Sequence, residues 1–343
     1  MNLWNSIRSS SYISKKDMNF LTKHPLFPGL ALVTFLVVPA WWLGGIFPLM
    51  GSAVIGMLLG MAVRQMMELG EHHHPGIRFA GRQLLQYSIV ALGFSLPIRQ
   101  VASTGLHSLQ ISLVTLSVAF AAAILIGRAL HVPGKLNVLI GAGTAICGGS
   151  AIAAIIPVLQ PDDHDTTYAL STIFLFNIVA VLTFPLLGHL MHMTDSGFGL
   201  WAGTAINDTS SVVAAGYAWD RAAGEYATIV KLTRAMMIVP VTLIIGVLYH
   251  RQRSGSSIRR AVPGFIVLFV LASLVNGYLP AELTAVIRKI APLLITGALT
   301  AIGLSTDLRR LRSAGPRPLM LGLLVWASVA CSSLLMQHLT GAL

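Results

Sequence analysis

The chain has 343 residues, of which Asp, Glu, Lys and Arg make up only 10%, while 55% are hydrophobic. An ordinary soluble domain carries about 25% charged residues, so a soluble globule of this composition would lack the polar surface to cover itself. The composition therefore excludes a soluble enzyme, a disordered chain and a disulfide-stapled secreted domain. It predicts an all-α polytopic membrane protein, in which the net charge of +11 reflects basic loops beside the bilayer and not a nucleic-acid surface.

A helix needs about 20 mostly apolar residues to cross a bilayer. The sequence contains eleven such apolar runs, and we expect 10–11 transmembrane helices. Residues 1–25 are expected to form a cytoplasmic N-terminal tail, because they lack the apolar core and cleavage site of a signal peptide. Residues 26–343 then form a single transmembrane domain, with a first half over about 26–160 and a second over about 168–343. The runs cover residues 26–47, 49–63, 81–98, 105–128, 136–159, 168–191, 198–217, 227–249, 262–280, 287–307 and 318–340.

The distribution of Lys and Arg predicts the orientation. With the N-terminus inside, 17 of the 23 basic residues fall on the cytoplasmic side and six outside, as the excess of positive charge in cytoplasmic loops requires. This predicts an outer C-terminus, an odd number of spans and an outer loop at 161–165. Cys147 and Cys331 both lie in apolar runs and are interpreted as buried thiols.

Two pairs of similar short segments, which we call echoes, suggest internal repeats. Residues 143–150, GTAICGGS, resemble residues 203–210, GTAINDTS, at an offset of 60, and residues 91–95, ALGFS, resemble 301–305, AIGLS, at an offset of 210. The second pair lies in spans that run in opposite directions, as an inverted-topology repeat predicts. The first pair would run parallel if both segments crossed fully, so its inversion requires a re-entrant hairpin or a different span count. Chance similarity of small-residue helices is the alternative.

Both members of the first echo interrupt an apolar run with residues that break a helix or carry polar groups. Freed backbone groups in lipid are costly unless protein or water satisfies them, and the N-terminus of a half-helix suits an anion. We therefore expect a protein-lined cavity, although close packing through small residues is the alternative for the first segment. The candidate substrate-binding residues are Thr144, Cys147, Gly148, Gly149, Ser150, Asn207, Thr209 and Ser210.

Three charged residues complete the candidate site. Asp208 is an acid well inside an expected span, where a charge costs at least about 2.5–3.5 kcal/mol and usually faces a partner or a pathway. The alternative is a loop between two short helices in which Asp208 is an N-cap. Lys231 and Arg234 are three residues apart on one helical face. They either extend to the outer surface, pair with Asp208, or attract an anionic substrate. Asn177, in an otherwise apolar run, is expected to hydrogen-bond across helices.

No Walker, HExxH, GxSxG or Cys-His pattern is present, so the sequence offers no support for ATP hydrolysis or for an enzyme of the familiar membrane classes. We expect no catalytic residue, metal or cofactor. The expected partners are a small anionic substrate, H⁺ or Na⁺ as the coupling ion, and the lipid bilayer. Whether two copies of the chain form a homodimer is left open by the sequence.

The segments GTAICGGSAIAAIIP (143–157), WAGTAINDTSSVVAAG (201–216), KLTRAMMIVPVTL (231–243) and ALGFS (91–95) together resemble the YeiH-type sulfate exporter family, also catalogued as UPF0324. The resemblance spans most of the chain in the family's order. It implies a multi-pass secondary transporter of the bacterial inner membrane. The implied fold is an inverted-repeat fold with broken helices, like those of bile-acid-symporter-like and cation/proton-antiporter-like proteins, with a core and a panel.

Three functions remain open at this stage. The first is an ion-coupled transporter that exports a small anion, with its site at the breaks near 147–150 and 207–211 and with an elevator-like or rocking motion. In this exporter, Asp208 either carries the coupling proton or balances the positive charges of Lys231 and Arg234. The second is a proton- or sodium-coupled importer of an organic anion such as a sulfonate. The third is a channel or a non-transporting membrane sensor.

Overall fold

The computed structural model describes residues 25–47, 51–249, 264–306 and 315–342. Over these ranges the chain is helical and contains no strand, so the all-α fold class is confirmed. We number the α-helices of these ranges α1 Phe27–Ile46, α2 Gly51–Met66, α3 His74–Phe79, α4 Leu85–Gly93, α5 Ile98–Ala129, α6 Gly134–Ala145, α7 Gly149–Leu159, α8 Asp163–Leu190, α9 Asp195–Ala205, α10 Thr209–Trp219, α11 Arg221–Ala235, α12 Ile238–Leu248, α13 Gly264–Val275, α14 Ala281–Ser305 and α15 Pro316–Thr340.

Short helical turns connect several of these helices. A 3₁₀ turn precedes α3 at Glu71–His73, a π-helical turn at Ala80–Leu84 joins α3 to α4, and a second 3₁₀ turn at Asn276–Tyr278 follows α13. The expected N-terminal tail, except residue 25, lies outside the described residues. So do the basic residues at 251–260 and at 309–312 that contributed to the predicted orientation.

Six helical stretches within the described ranges are long and apolar enough to cross a membrane. These stretches are α1, α5, α8, α14, α15 and the nearly continuous pair α11–α12, which bends at residues 236–237. Shorter apolar helices include α2 and α13. The expected polytopic membrane architecture is therefore confirmed.

The expected span 136–159 is a pair of half-length helices that reverse direction. Lys135 Nζ at the start of α6 donates a hydrogen bond to the carbonyl of Gln160, just past the end of α7, over 2.7 Å. The first and last residues of the segment are thus adjacent, which a full crossing does not allow. We call α6 and α7 the first hairpin and residues 146–148, where the chain turns, its tip.

The expected span 198–217 also folds back. The indole Nε1 of Trp219 at the end of α10 donates to Asp195 Oδ1 at the start of α9 over 2.9 Å. The Trp219 ring also stacks on Phe198, with ring centroids 4.3 Å apart. We call α9 and α10 the second hairpin and residues 206–208 its tip. The assignment of each of these two segments to a single span was therefore wrong, and the re-entrant hairpin that the sequence analysis left open is the fold of both.

The two hairpins open at opposite ends of α8. The first opens beside residues 160–163, where α8 begins, and the second beside His189, whose ring stacks on Trp219 at 4.0 Å near the end of α8. The loop at 161–165 consequently lies at the same end as Lys135. The orientation predicted from the sequence counts Lys135 among the 17 cytoplasmic basic residues and places this loop outside, so that part of the prediction was wrong. Each arm has 11 or 12 residues, or about 16–18 Å at about 1.5 Å per residue. This is about half of the roughly 30 Å hydrocarbon thickness, so both tips reach mid-depth.

The remaining helices pack through small residues beside the hairpins. A side chain at Gly303 on α14 would collide with the Met57 carbonyl of α2, and one at Gly93 on α4 would lie 2.5 Å from the Phe269 carbonyl of α13. Each echo glycine at 93 and 303 therefore marks a close backbone approach.

The prediction that both cysteines are buried is confirmed for Cys147 and wrong for Cys331, which is exposed on α15.

Candidate functional site at the hairpin tips

The tip of the first hairpin depends on a glycine. Gly148 precedes α7 with φ of 67°, and a Cβ at this position would lie 3.3 Å from Cβ of Asp208 on the other tip. This left-handed backbone is readily available to glycine alone. No side chain caps the N-terminus of α7, so its first backbone N–H groups lack the usual side-chain acceptor.

The tip of the second hairpin uses an acid at the corresponding position. Asp208 is the N-cap of α10, and its Oδ2 accepts from the Ser210 backbone N–H at 2.9 Å and from the Ser210 hydroxyl. The Asp208 N–H donates to Asn177 Oδ1 at 3.1 Å, near the middle of α8. The expected cross-helix hydrogen bond of Asn177 is thus confirmed, and the N-cap alternative for Asp208 describes its local geometry.

Two fully buried cations from α11 join the tips. Lys231 Nζ donates to the carbonyls of Ile146 at 2.7 Å and Ile206 at 2.9 Å. Both carbonyls lie just past the C-terminal ends of α6 and α9, where orphan carbonyls and the helix dipole favour a positive charge. Lys231 therefore bridges one hairpin to the other through backbone atoms alone.

Arg234 bridges the same two helix ends one turn further along α11. Its Nε donates to the Ala145 carbonyl at 2.6 Å, its Nη2 to the Thr144 carbonyl at 2.8 Å and its Nη1 to the Thr204 carbonyl. Arg234 and Lys231 have no exposed surface. The alternative in which they extend to the outer surface is therefore excluded.

Four of the five contacts of the two cations fall at the offset of 60 between the echo segments, the exception being the Ala145 carbonyl. Lys231 binds carbonyls 146 and 206, and Arg234 binds carbonyls 144 and 204. Equivalent positions of the two segments therefore meet the same side chain. This regularity favours the repeat over chance similarity, because unrelated small-residue helices have no reason to present matching carbonyls to one cation.

Direct pairing of the cations with Asp208 does not occur. Among the residues that the structure describes, the ion pair within 4.0 Å joins Arg221 to Glu225, at the base of α11. The hydrogen bonds of Lys231 and Arg234 end on carbonyls, and Oδ2 of Asp208 binds Ser210. The three charges are thus held separately around the tips.

Polar groups without partners surround the tips. Within the described residues, Thr144 Oγ1, Asn177 Nδ2 and Asn207 Oδ1 are buried and make no hydrogen bond. Buried polar atoms normally find a partner, so an orphaned set indicates a place for water or a ligand. Next to these atoms, Ser150 is exposed and Asp208 is half-buried. The tips therefore combine unsatisfied hydrogen-bonding groups with two polar side chains that are not fully buried.

The structure brings together every candidate residue of the sequence analysis, since all eleven lie on the tips, on the helical turns directly before or after them, or on the face of α11 that binds them. Sequence reasoning missed Thr204, which the offset of 60 from Thr144 would have found. It also missed the backbone carbonyls of Ala145, Ile146 and Ile206, because backbone acceptors leave no side-chain signal.

One grouping of metal-ligand type lies elsewhere within the described residues. Asp162, His164 and Asp165 hold ligand atoms within 4.8 Å of one another at the mouth of the first hairpin. Asp162 Oδ1 is already engaged as the N-cap of α8, where it accepts from the Asp165 N–H at 2.6 Å. The positive end of a helix disfavours a cation, and Asp162 serves there as the helix cap.

The fold and the tips define the class of protein, a polytopic α-helical membrane protein in which two half-length hairpins meet at a buried pair of cations. A family model described as conserved hypothetical protein 698 matches residues 28–322. The chain is 37% identical to a UPF0324 membrane protein of Fusobacterium nucleatum over 339 residues, which cover 91% of this chain and 98% of that relative. UPF0324 membrane proteins of Streptococcus pneumoniae and Streptococcus pyogenes are 38% and 39% identical, with 94% and 90% of this chain and 99% and 96% of theirs covered. The chain therefore belongs to the UPF0324 family of membrane proteins, and the resemblance of its motifs is confirmed.

Proposed function

We propose that this protein is an ion-coupled secondary transporter that exports a small anion, either sulfate, another sulfur oxyanion or an organic anion, across the bacterial inner membrane. The observation that carries the proposal is the pair of hairpin tips at mid-depth, joined by two buried cations and lined by unpartnered polar atoms. Charged groups inside a membrane are costly and usually belong to a substrate or ion pathway.

The anion is placed at the open N-terminus of α7. The backbone N–H groups there have no side-chain cap, and a helix N-terminus carries a partial positive charge. Gly149 and Ser150 form the first turn of this helix, and Ser150 is exposed. The Thr144 hydroxyl supplies an unpartnered buried donor beside it, whereas the unpartnered atom of Asn207, Oδ1, is an acceptor and suits water or a protonated group.

Alternating access in this proposal moves both hairpins as one body with α11. Lys231 and Arg234 each bind both hairpins, so separate movement of either tip would leave several carbonyls without donors. A smaller group of buried residues in α1, α14 and the π-helical turn, including Val33, Leu36 and Leu304, forms a second cluster beside the main core, to which α14 contributes Ile295 and Leu299. We assign these helices to a panel against which the hairpin body moves.

Replacement of Asp208 by Asn tests the proposal. Asn is as good an N-cap as Asp, so the variant retains an acceptor for the Ser210 N–H, but it holds neither a charge nor a coupling proton. We expect Asp208→Asn to abolish anion flux driven by an ion gradient in proteoliposomes, while the protein elutes as a folded species. The matched control is Asp220→Asn, because Asp220 caps α11 by accepting from the Ala222 N–H at 2.6 Å but lies at the mouth of the second hairpin.

Unchanged gradient-driven flux in the Asp208→Asn protein would overturn the assignment of Asp208 to coupling. Flux of the wild-type protein that responds to no ion gradient would instead identify a channel. Uptake that requires sodium would identify an importer of the organic-anion type. Loss of flux in Asp220→Asn as well would attribute the effect to helix capping alone.

A further inference from the structure

The net charge at the tips can be counted from the contacts described. In their ordinary ionised forms, Lys231 and Arg234 contribute two positive charges to the tips and Asp208 contributes one negative charge. The C-terminal ends of α6 and α9 and the N-terminal ends of α7 and α10 meet at the same place. Each end carries roughly half a charge, negative at a C-terminus and positive at an N-terminus, so the four ends cancel. The tips are left with one uncompensated positive charge.

One uncompensated charge at mid-depth is costly unless an anion neutralises it. A monoanion balances the tips while Asp208 stays ionised. A dianion leaves one excess negative charge beside the Asp208 carboxylate, whose repulsion is removed when that carboxylate takes up a proton. The carboxylate is near the open helix end, since its Oδ1 lies 3.5 Å from the Cβ position of Gly148.

We propose that the site binds one net negative charge, so that a monoanion enters alone whereas a dianion enters together with one proton on Asp208. This inference rests on the proposed function and deepens it, because it names the charge of the substrate and the condition for proton coupling. Proton and dianion then favour each other's binding, since linkage between two ligands is reciprocal.

The groups around Asp208 allow this assignment. Lys231 and Arg234 on α11 and Cys147 on the first tip are the titratable groups that share the tips with it. Three further helices pack against α10, the helix that Asp208 caps, and their charged side chains closest to mid-helix are Arg64 on α2, Asp165 and His189 on α8, and Lys289 on α14. Two more helices, α5 and α15, pack against α9, and their imidazole groups closest to mid-helix are those of His107 and His338. Within the described residues, none of these side chains forms an ion pair or hydrogen bond with Asp208.

Sulfate and methanesulfonate are a matched pair of probes, since both present a tetrahedral sulfur with oxygen acceptors but differ by one charge. The experiment is calorimetric titration of the purified full-length protein with each anion across about two pH units around neutrality, in buffers of different ionisation enthalpy, which reports proton uptake. We expect the affinity for sulfate to rise up to about tenfold for each unit by which the pH falls, with about one proton taken up per sulfate. Methanesulfonate should bind with no pH dependence and no proton uptake.

The variant Asp208→Asn provides the second arm. Sulfate should still bind to it, but without pH dependence or proton uptake. Equal pH slopes for the two anions, or a sulfate slope that persists in Asp208→Asn, would overturn the charge rule while leaving an anion site in place. Failure of the folded wild-type protein to bind either anion would overturn the proposed transport of sulfur oxyanions and sulfonates, and the charge rule with it.

Discussion

Lys231 offers the sharpest test of how the two hairpins are held together. Its ammonium group is fully buried and donates to one carbonyl of each hairpin, at 2.7 and 2.9 Å. Replacement by Met keeps the length and apolar character of the stem but leaves the carbonyls of Ile146 and Ile206 without this donor. An orphaned buried acceptor costs about 1–3 kcal/mol.

The removal of a buried charge offsets part of this loss, because the ammonium no longer has to be desolvated. We therefore expect Lys231→Met to lower the free energy of unfolding by about 2–4 kcal/mol. The assay is reversible unfolding in mixed mild and denaturing detergent, followed by a thermal midpoint in the mild detergent alone. Lys289→Met is the matched control, since Lys289 is exposed on α14. A Lys231→Met protein as stable as this control would refute the view that Lys231 fastens the hairpins.

Two further predictions concern the tips and the hairpin mouths. Gly148→Ala should lower the free energy of unfolding by about 1–3 kcal/mol, because a φ of 67° is strained for alanine. Gly45→Ala is the control and should not lower it, because a Cβ there meets nothing within 4 Å. Equal melting temperatures of the two variants in a thermal-shift assay would contradict this prediction. Cysteines placed at 135 and 160, in a chain with Cys331→Ser, should react with an impermeant maleimide from the same side of oriented vesicles, and one at 195 from the opposite side. Labelling of the cysteines at 135 and 160 from opposite sides would show instead that the segment between them crosses the membrane as a single span.

Residues in the apolar runs illustrate where sequence reasoning stopped. The breaks at 147–150 and 207–211 were visible because glycine and clustered polar residues are poor in a membrane helix. Whether the chain continues or reverses after such a break was not visible, since an apolar arm of 11 residues has the same composition in either case. The contact of Lys135 with Gln160 settles it for the first hairpin.

The positions of the charged residues show the same difference between what the sequence predicts and what the structure decides. The sequence placed Lys231 and Arg234 on one helical face but offered three partners, namely water at the surface, Asp208 or a substrate. The structure gives them the carbonyls of two helix ends, as far as 90 residues away along the chain. Backbone acceptors are identical at every residue, so no pattern of side chains announces which of them a buried cation will meet. Cys331 was misplaced for a related reason, because lipid and protein core are both apolar.

The sequence by itself determined the class of this protein, its helical fold, the family to which it belongs and the two segments where a membrane helix is interrupted. Those properties follow from composition and from local residue types, which act over a few neighbours. Only the tertiary structure decided that both interrupted segments are hairpins, that they enter from opposite ends of α8, and that one pair of cations joins their tips. These properties depend on hydrogen bonds and packing between residues far apart in the chain. The low charge content therefore identifies a membrane protein, while the three-dimensional arrangement shows how three of its few charges are gathered at one place.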